Sequence, residues 1–323
     1  MDKENLAYRL GGLLYCPAAN DKIAEKIING AYPCLTSIAL CLEDSIADDS
    51  VEQAEKILYN TLEALSSADK NKLPLIFIRV RSPEHLSHVH KLIAPYEKVL
   101  TGYIFPKFDV VNGNSYVSIF KDILAESGLD LYFMPILESG SVANKAVRLD
   151  NLIAIKKITD GIRDRVLNIR VGGNDFSELY GLRRNVTQTV YDIGVIRDIL
   201  VDIINFFAGH YIVSGVVWEY FQNGRDESWR TGLERELELD KLNGFTGKTA
   251  IHPSQLPVIY ESLQVNEDDY KDAVTILNWH NSLGVQKDSS GSRMNEVKCH
   301  TRWAKKIKTL GDIYGIKGET CKI

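Results

Sequence analysis

The sequence predicts an α/β protein, a single (β/α)8 TIM barrel followed by a C-terminal helical extension, and three observations carry that prediction. Eight short apolar runs, at 13–16, 37–42, 75–80, 102–105, 131–137, 167–171, 211–214 and 249–251, alternate with amphipathic stretches. Most of them lack a period-two alternation, which is how strands covered on both faces of a parallel sheet look. Polar residues stand at or just past the ends of several runs: Glu43 and Asp44, Arg79, Lys107, Glu138, Asp175 and His252. Groups from that many strand ends meet at one point only if the strands form a ring, so a barrel is preferred to an open doubly wound sheet. At 323 residues the chain exceeds the ~250 of a typical barrel and leaves room for an appendage.

Taken in order, the first run ends at Cys16, read as a small core residue because no histidine partner is identifiable. The second leads into Glu43-Asp44. Ser50-Val51-Glu52-Gln53 has the spacing of a capping box, and Ser82-Pro83 offers an N-cap followed by a first-turn proline. On the helix that follows, His85, His88 and His90 do not all share one face, so no zinc site is read from them. The sixth run precedes Gly172-Gly173, a pair that can approach a phosphate but is weak evidence for one. Between the last two runs, residues 223–243 are highly charged and read as a solvated helix of the outer ring. The barrel domain is set at 1–284. After a helix ending near residue 283, the Gly/Ser/Asp-rich 284–292 reads as a linker to a basic helix at 300–310, making 285–323 a helical lid or oligomerisation segment.

Composition narrows the partners. A formal net charge of −5 lacks the basic footprint of a nucleic-acid or anionic-membrane binder and favours a small molecule. No run approaches the ~18 apolar residues of a membrane span, and the N-terminus lacks a cationic stretch leading into an apolar one. Five cysteines, Cys16, Cys34, Cys41, Cys299 and Cys321, are widely spaced without a C-x-x-C pair. They favour a reducing cytoplasm over a disulfide framework or zinc site.

The candidate chemistry lies at the strand ends. Glu138 and Asp175 close adjacent strands, and two such carboxylates suit magnesium, which takes one or two and leaves its other positions to water and substrate oxygens. Two salt-bridged structural acids are the alternative. Arg79 can grip a substrate carboxylate through paired hydrogen bonds. Arg81 points the same way if the strand continues. Either arginine can instead neutralise Glu43 or Asp44. Lys107 and Lys248 raise a metal-free alternative, imine formation with a carbonyl substrate, set against simple pairing with a carboxylate. His252 can act as a base, or can hold its loop.

Together these motifs resemble the citrate lyase β-subunit family, the HpcH/HpaI-like aldolase superfamily. The matches run in order through Leu14-Tyr15-Cys16-Pro17-Ala18-Ala19-Asn20-Asp21, Leu42-Glu43-Asp44-Ser45, Ile78-Arg79-Val80, Ile104-Phe105-Pro106-Lys107, Ile136-Leu137-Glu138-Ser139 and Gly173-Asn174-Asp175-Phe176. The most specific match is Gly244-Phe245-Thr246-Gly247-Lys248-Thr249-Ala250-Ile251-His252-Pro253-Ser254-Gln255. Coverage runs from about Gly11 to Trp279 and more weakly to Lys306.

The resemblance implies a barrel, a Mg2+ ion, reversible carbon–carbon cleavage next to a carbonyl, and a homo-oligomer, commonly a trimer, whose C-terminal segment caps a neighbour's site. By position, Glu138 and Asp175 would bind the metal and Arg79 the substrate carboxylate. Glu43 and Asp44 would form the polar wall. Beside what the resemblance implies, Arg81, Lys107, Gly173, Asn174 and His252 are expected to complete the substrate pocket. Departures point to a divergent branch: Arg81 replaces a small polar residue, Ser214 an aspartate, and Met294-Asn295-Glu296 matches only loosely a pattern whose acid moves a proton across the subunit boundary. Glu296, Asp44 or a water beside the ion would serve as base. The substrate is expected to be a small carboxylate or an acyl-CoA. A condensing enzyme like malate synthase and a catalytically silent scaffold are the rival readings.

Overall fold

Seven strands form one parallel sheet in the order β6-β5-β4-β3-β2-β1-β7. They are β1 Gly12–Pro17, β2 Ser37–Cys41, β3 Leu75–Arg79, β4 Gly102–Phe105, β5 Tyr132–Leu137, β6 Arg170–Val171 and β7 Lys248–Ala250, in a computed structural model. It describes residues 2–224, 226–279, 284–288, 291 and 293–321. Residues 211–215 close the ring as its remaining stave: Val213 bridges Ile169 and Gly215 bridges Lys248, both parallel. Ser214 N–H donates to the Ile169 carbonyl at 3.0 Å, and Thr246 N–H to that of Val213 at 2.8 Å. Expected as a strand, this stave makes bridges rather than a ladder, because its neighbour β6 is only two residues long.

The helices in order are α1 Lys3–Arg9, α2 Ile23–Ile28, α3 Val51–Ser66, α4 Pro83–Ile93, α5 Gly113–Ser127, α6 Gly140–Ala143, α7 Arg148–Asp160, α8 Gly173–Leu179, α9 Gly194–Phe207, α10 Ser228–Leu242, α11 Gln255–Leu263, α12 Glu267–Leu277 and α13 Val297–Tyr314. Both faces of the strands are apolar. Leu13, Ala39, Phe77, Ile104 and Met134 point into the ring, where Ala7 and Leu10 join them. Leu14, Ile38, Leu40, Ile78 and Phe105 point out into the larger core under the helices. A fully buried Leu or Phe contributes about 1.5–3 kcal/mol, so double coverage both stabilises the strands and erases the alternation an exposed face would show.

Several local expectations change. Ser82 Oγ accepts the His85 N–H at 3.2 Å, but Ser50 makes no cap bond. Its hydroxyl donates to Asp49 Oδ1 at 2.9 Å, because residues 48–50 form a 3-10 turn that runs straight into α3. The charged stretch 223–243 is not simply solvated, since α10 buries Trp229, Leu233 and Leu237 together with Glu236 and Asp240. Those acids, one turn apart, clamp the Lys248 ammonium at 2.9 and 2.7 Å. Arg184 meets Glu236 at 3.2 Å, and the Tyr191 hydroxyl donates to Asp240 at 2.7 Å. Gly247, just before Lys248, has φ +75°, and a Cβ there would stand 2.5 Å from the Gly11 carbonyl oxygen, so the turn into β7 needs glycine.

Where a linker was expected, β8 Val285–Lys287 and β9 Met294–Glu296 pair as an antiparallel hairpin. The expected helix end near residue 283 lies outside the described residues, and α12 ends at Leu277. α13 is longer than the expected 300–310 and folds onto its own barrel. Its buried Tyr314 donates a hydrogen bond to the Tyr8 carbonyl at 2.8 Å. Arg302 donates to the carbonyls of Ala208 and Gly209 at 2.6 and 2.8 Å, ahead of the 211–215 stave. α13 therefore lies toward the end of the barrel where the strands begin. No helix among the described residues is long and apolar enough to cross a membrane.

Candidate active site

The alternation that fills the ring also builds the site. Two residues beyond Leu13, Ala39 and Phe77 on the same inward face come Tyr15, Cys41 and Arg79, and two beyond Ile136 comes Glu138. These side chains open into a cavity of about 410 Å³ at the C-terminal ends of the strands, lined also by Asp44, Arg170, Gly172, Gly173, Asn174, Asp175 and Thr249.

Arg79 is the hub of its polar wall. One guanidinium nitrogen lies 2.8 Å from Glu43 Oε2, 3.0 Å from Asp44 Oδ2 and 3.3 Å from Glu138 Oε1, and the group stacks 5.6 Å from the Tyr15 ring. Lys107 Nζ reaches Glu43 Oε1 at 2.7 Å and Asp44 Oδ1 at 3.3 Å, while its N–H donates to Glu138 Oε1 at 2.8 Å. Burial pushes Glu43 up. Burial also acts upward on Asp44, but the bond with Glu43 and the charges of Arg79 and Lys107 outweigh it and hold Asp44 below its usual range.

Glu138 and Asp175 face each other across Gly172. A Cβ on that glycine would sit 2.3 Å from Glu138 Oε2 and 2.9 Å from Asp175 Oδ2, so the missing side chain lets the two carboxylates converge. Glu138 spends its first oxygen on Lys107 and Arg79 and turns the second to Asp175. Asp175 forms no ion pair among the described residues. Burial pushes Glu138 up to about 8; Arg79 opposes this, and the neighbouring Asp175 reinforces it. Burial raises Asp175 as well, with Asp44 adding to it. Two hard oxygen donors, half-compensated and mutually repelling, fit a small divalent cation that would relieve both. A second hollow of about 460 Å³, lined by Lys107, Asn112 and Ser139, opens on the other side of the same pair.

Of the residues expected here, Arg79, Asp44, Glu138, Gly173, Asn174 and Asp175 line the cavity, and Glu43 and Lys107 brace it. The others do not line it. β3 ends at Arg79, and Arg81 turns outward to the carbonyls of Leu42 and Ile46 at 3.1 and 3.2 Å and to Asp48, fastening the loop after β2. His252 Nδ1 bonds Ser254 Oγ at 2.8 Å and its ring stacks on Phe221 at 4.7 Å, so it holds its loop. Lys248 points outward into the α10 clamp and is fully buried. Glu296 stands at the head of α13, off the cavity of its own chain. Ser214 is buried with its hydroxyl on the Thr246 carbonyl at 3.0 Å.

Three contributors were passed over. Gly172 was legible only as half of a weak glycine pair. Tyr15 sat inside a motif without a role. Arg170, 2% exposed, lies within the apolar run 167–171, and a charge inside a doubly covered strand was the available signal. Gln255, fully buried, joins the strand-end loops by donating to the Trp218 and Tyr220 carbonyls at 2.9 and 2.8 Å and accepting the Ile251 N–H at 2.8 Å.

A family model described as a carbon–carbon bond lyase of the TIM-barrel fold matches residues 4–316. No curated protein matches the chain. Among solved structures, CitE from Mycobacterium tuberculosis, in complex with magnesium, acetoacetate and coenzyme A, shares 18% identity over 94% of this chain and 99% of its own, with a TM-score of 0.62. A citrate lyase from Burkholderia xenovorans shares 14% identity over 95% of this chain and 92% of its own, with a TM-score of 0.69. RipC from Yersinia pestis shares 15% over 79% and 95%, with a TM-score of 0.54. At these identities the likeness is one of fold.

Proposed function

The chain belongs to the carbon–carbon bond lyase family of the TIM-barrel fold, and from that premise we propose that it is a magnesium-dependent enzyme that cleaves a β-hydroxy acid or β-hydroxyacyl substrate. The observation that carries the reading is the convergence of Glu138 and Asp175 on Gly172 at the cavity wall. The magnesium-bound M. tuberculosis CitE supports the choice of ion.

Glu138 and Asp175 would hold the ion, which would supply Lewis acidity toward a substrate carbonyl oxygen. The protein's own groups do the rest. Arg79 fixes the orientation of Glu138 and Glu43 and presents a cation to the substrate beside them, so that the cleavable bond is held in one geometry. Asp44 lines the cavity and stays ionised at neutral pH. It is the acid of this chain placed to take the hydroxyl proton, although its depressed pKa limits its strength as a base. Glu296 joins only if protomers exchange C-terminal segments. Lys107 and Lys248 are held by carboxylates, which disfavours imine chemistry. We place the enzyme in the cytoplasm as a homo-oligomer acting on a small carboxylate or acyl-CoA. Cysteines that are thiols rather than disulfides fit that compartment.

Titration calorimetry with Mg2+ and Mn2+ tests the reading: the wild type binds one ion per chain and Asp175→Ala binds none. Undiminished affinity in the variant would remove the metal site. In assays of short hydroxy acids and hydroxyacyl thioesters, EDTA abolishes turnover and borohydride traps no adduct; a stable adduct at either lysine would reverse the assignment.

A further inference from the structure

Arg79 and Lys107 each meet at least two carboxylates, but Arg170 meets none. Its guanidinium lies on the cavity wall, donates to Thr249 Oγ1 and to Asn168 Oδ1 at a long 3.5 Å, and stacks 5.8 Å from the Tyr15 ring. Among the described residues it forms no ion pair, and its buried Nε has no hydrogen-bond partner. The Arg79 guanidinium lies 5.6 Å from the same tyrosine ring, so a second cation acts on Arg170. Among the described residues no carboxylate balances this buried charge, which a fold tolerates where an anionic ligand supplies the counter-charge.

The register gives its place relative to the acid pair. Arg170 pairs with Ile136 across β5 and β6, whereas Glu138 and Gly172 each lie two residues further along. Arg170 is therefore rooted one inward step, roughly 7 Å along the strands, below the carboxylate pair. A ligand held at its head by an ion on Glu138 and Asp175, with its tail directed down the ring, would meet Arg170.

We propose that Arg170, with Thr249, forms a second anion-binding subsite, and that the substrate is a short-chain acid with a further carboxylate at the end remote from the reacting carbonyl. This rests on the lyase reading above for the position of the head. It selects among substrates: a monoanion of equal length would leave Arg170 uncompensated, and a long acyl tail would have to displace it.

The test compares two five-carbon ligands that share a 2-oxo acid head, 2-oxoglutarate and 2-oxovalerate, by titration calorimetry on the full-length Mg2+-loaded protein. Wild type is expected to bind the diacid about tenfold or more tightly. Arg170→Met is expected to remove that preference by weakening the diacid alone, with Mg2+ affinity and melting temperature retained, and Arg170→Lys to restore part of it. Equal binding of the two ligands by wild type, or no binding of the diacid, overturns the proposal without any variant. A preference that survives Arg170→Met overturns it as well. The same pair in EDTA separates the two readings: a preference that persists with no Mg2+ enhancement of either ligand strikes the metal assignment and leaves the subsite standing.

Discussion

At the scale of single residues the site rests on one absent side chain. Gly172→Ala would drive a methyl group into Glu138, whose Oε2 and Cβ lie 2.3 and 2.4 Å from that position. We expect Mg2+ affinity to fall at least about tenfold, and stability by about 1–3 kcal/mol from overpacking, read by calorimetry and urea unfolding. Retained affinity would show that the carboxylates do not need to converge there. The same pair sets a pH dependence. Burial raises Glu138 from 4.5 to about 8, so between those values the metal-free folded chain keeps a proton that the unfolded chain has lost. The contribution of this group to stability therefore falls as pH rises through that window. An ion that needs the carboxylate ionised must expel the proton, so Mg2+ binding at pH 7 should release close to one proton and tighten as pH approaches 8. Titration in two buffers of different ionisation heat measures this, and zero release would mean Glu138 is already ionised. The acids, and Arg79 as their partner, were legible because a charge closing an apolar run demands a partner. Arg81 was misread for want of knowing that β3 stops at Arg79.

At the scale of elements, apolar runs located the strands, because strands covered on both faces have little freedom of composition. The seventh run makes isolated bridges and no ladder, a difference that leaves no periodic trace in the sequence. What the sequence hid was the inner face of α10, where one-turn spacing of Glu236 and Asp240 looks like solvated charge until Lys248 is placed opposite. Lys248→Met is expected to cost about 3–5 kcal/mol by leaving those buried acids without their ammonium, with Arg184 offsetting part of the loss at Glu236. Urea unfolding measures it, and an unchanged midpoint would mean the clamp adds nothing net. The cost belongs to β7 and α10 and should leave Mg2+ affinity intact, because the outward Lys248 and inward Thr249 sit on opposite faces of the same strand. A smaller effect marks α4: Ser82→Ala removes its N-cap and should cost about 1 kcal/mol.

At the scale of the molecule, the boundary at 284 read from composition separates pieces that pack together. A run rich in glycine and serine signals a break in regular structure, but here part of it pairs as a hairpin, and the helix beyond returns to its own barrel. Tyr314 is fully buried against Tyr260, with ring centroids 5.1 Å apart, and bonds the Tyr8 carbonyl. Ala304 packs with Ala273 and Ile276 of α12, and Val265 bridges Ile316. Removing residues 285–323 would strip those contacts from α12 and from α1, which plugs the end of the ring where the strands begin. If the segment were only a lid over a neighbour's cavity, a chain ending at 284 would keep its melting temperature and lose activity. Because α13 covers its own barrel, we expect the shortened chain to melt at a clearly lower temperature or to aggregate. Tyr314→Phe, which deletes only the bond to Tyr8, should cost about 1 kcal/mol. A shortened chain as stable as the whole would assign the segment to the neighbour instead, and with it revive Glu296 as an acid delivered across a subunit boundary.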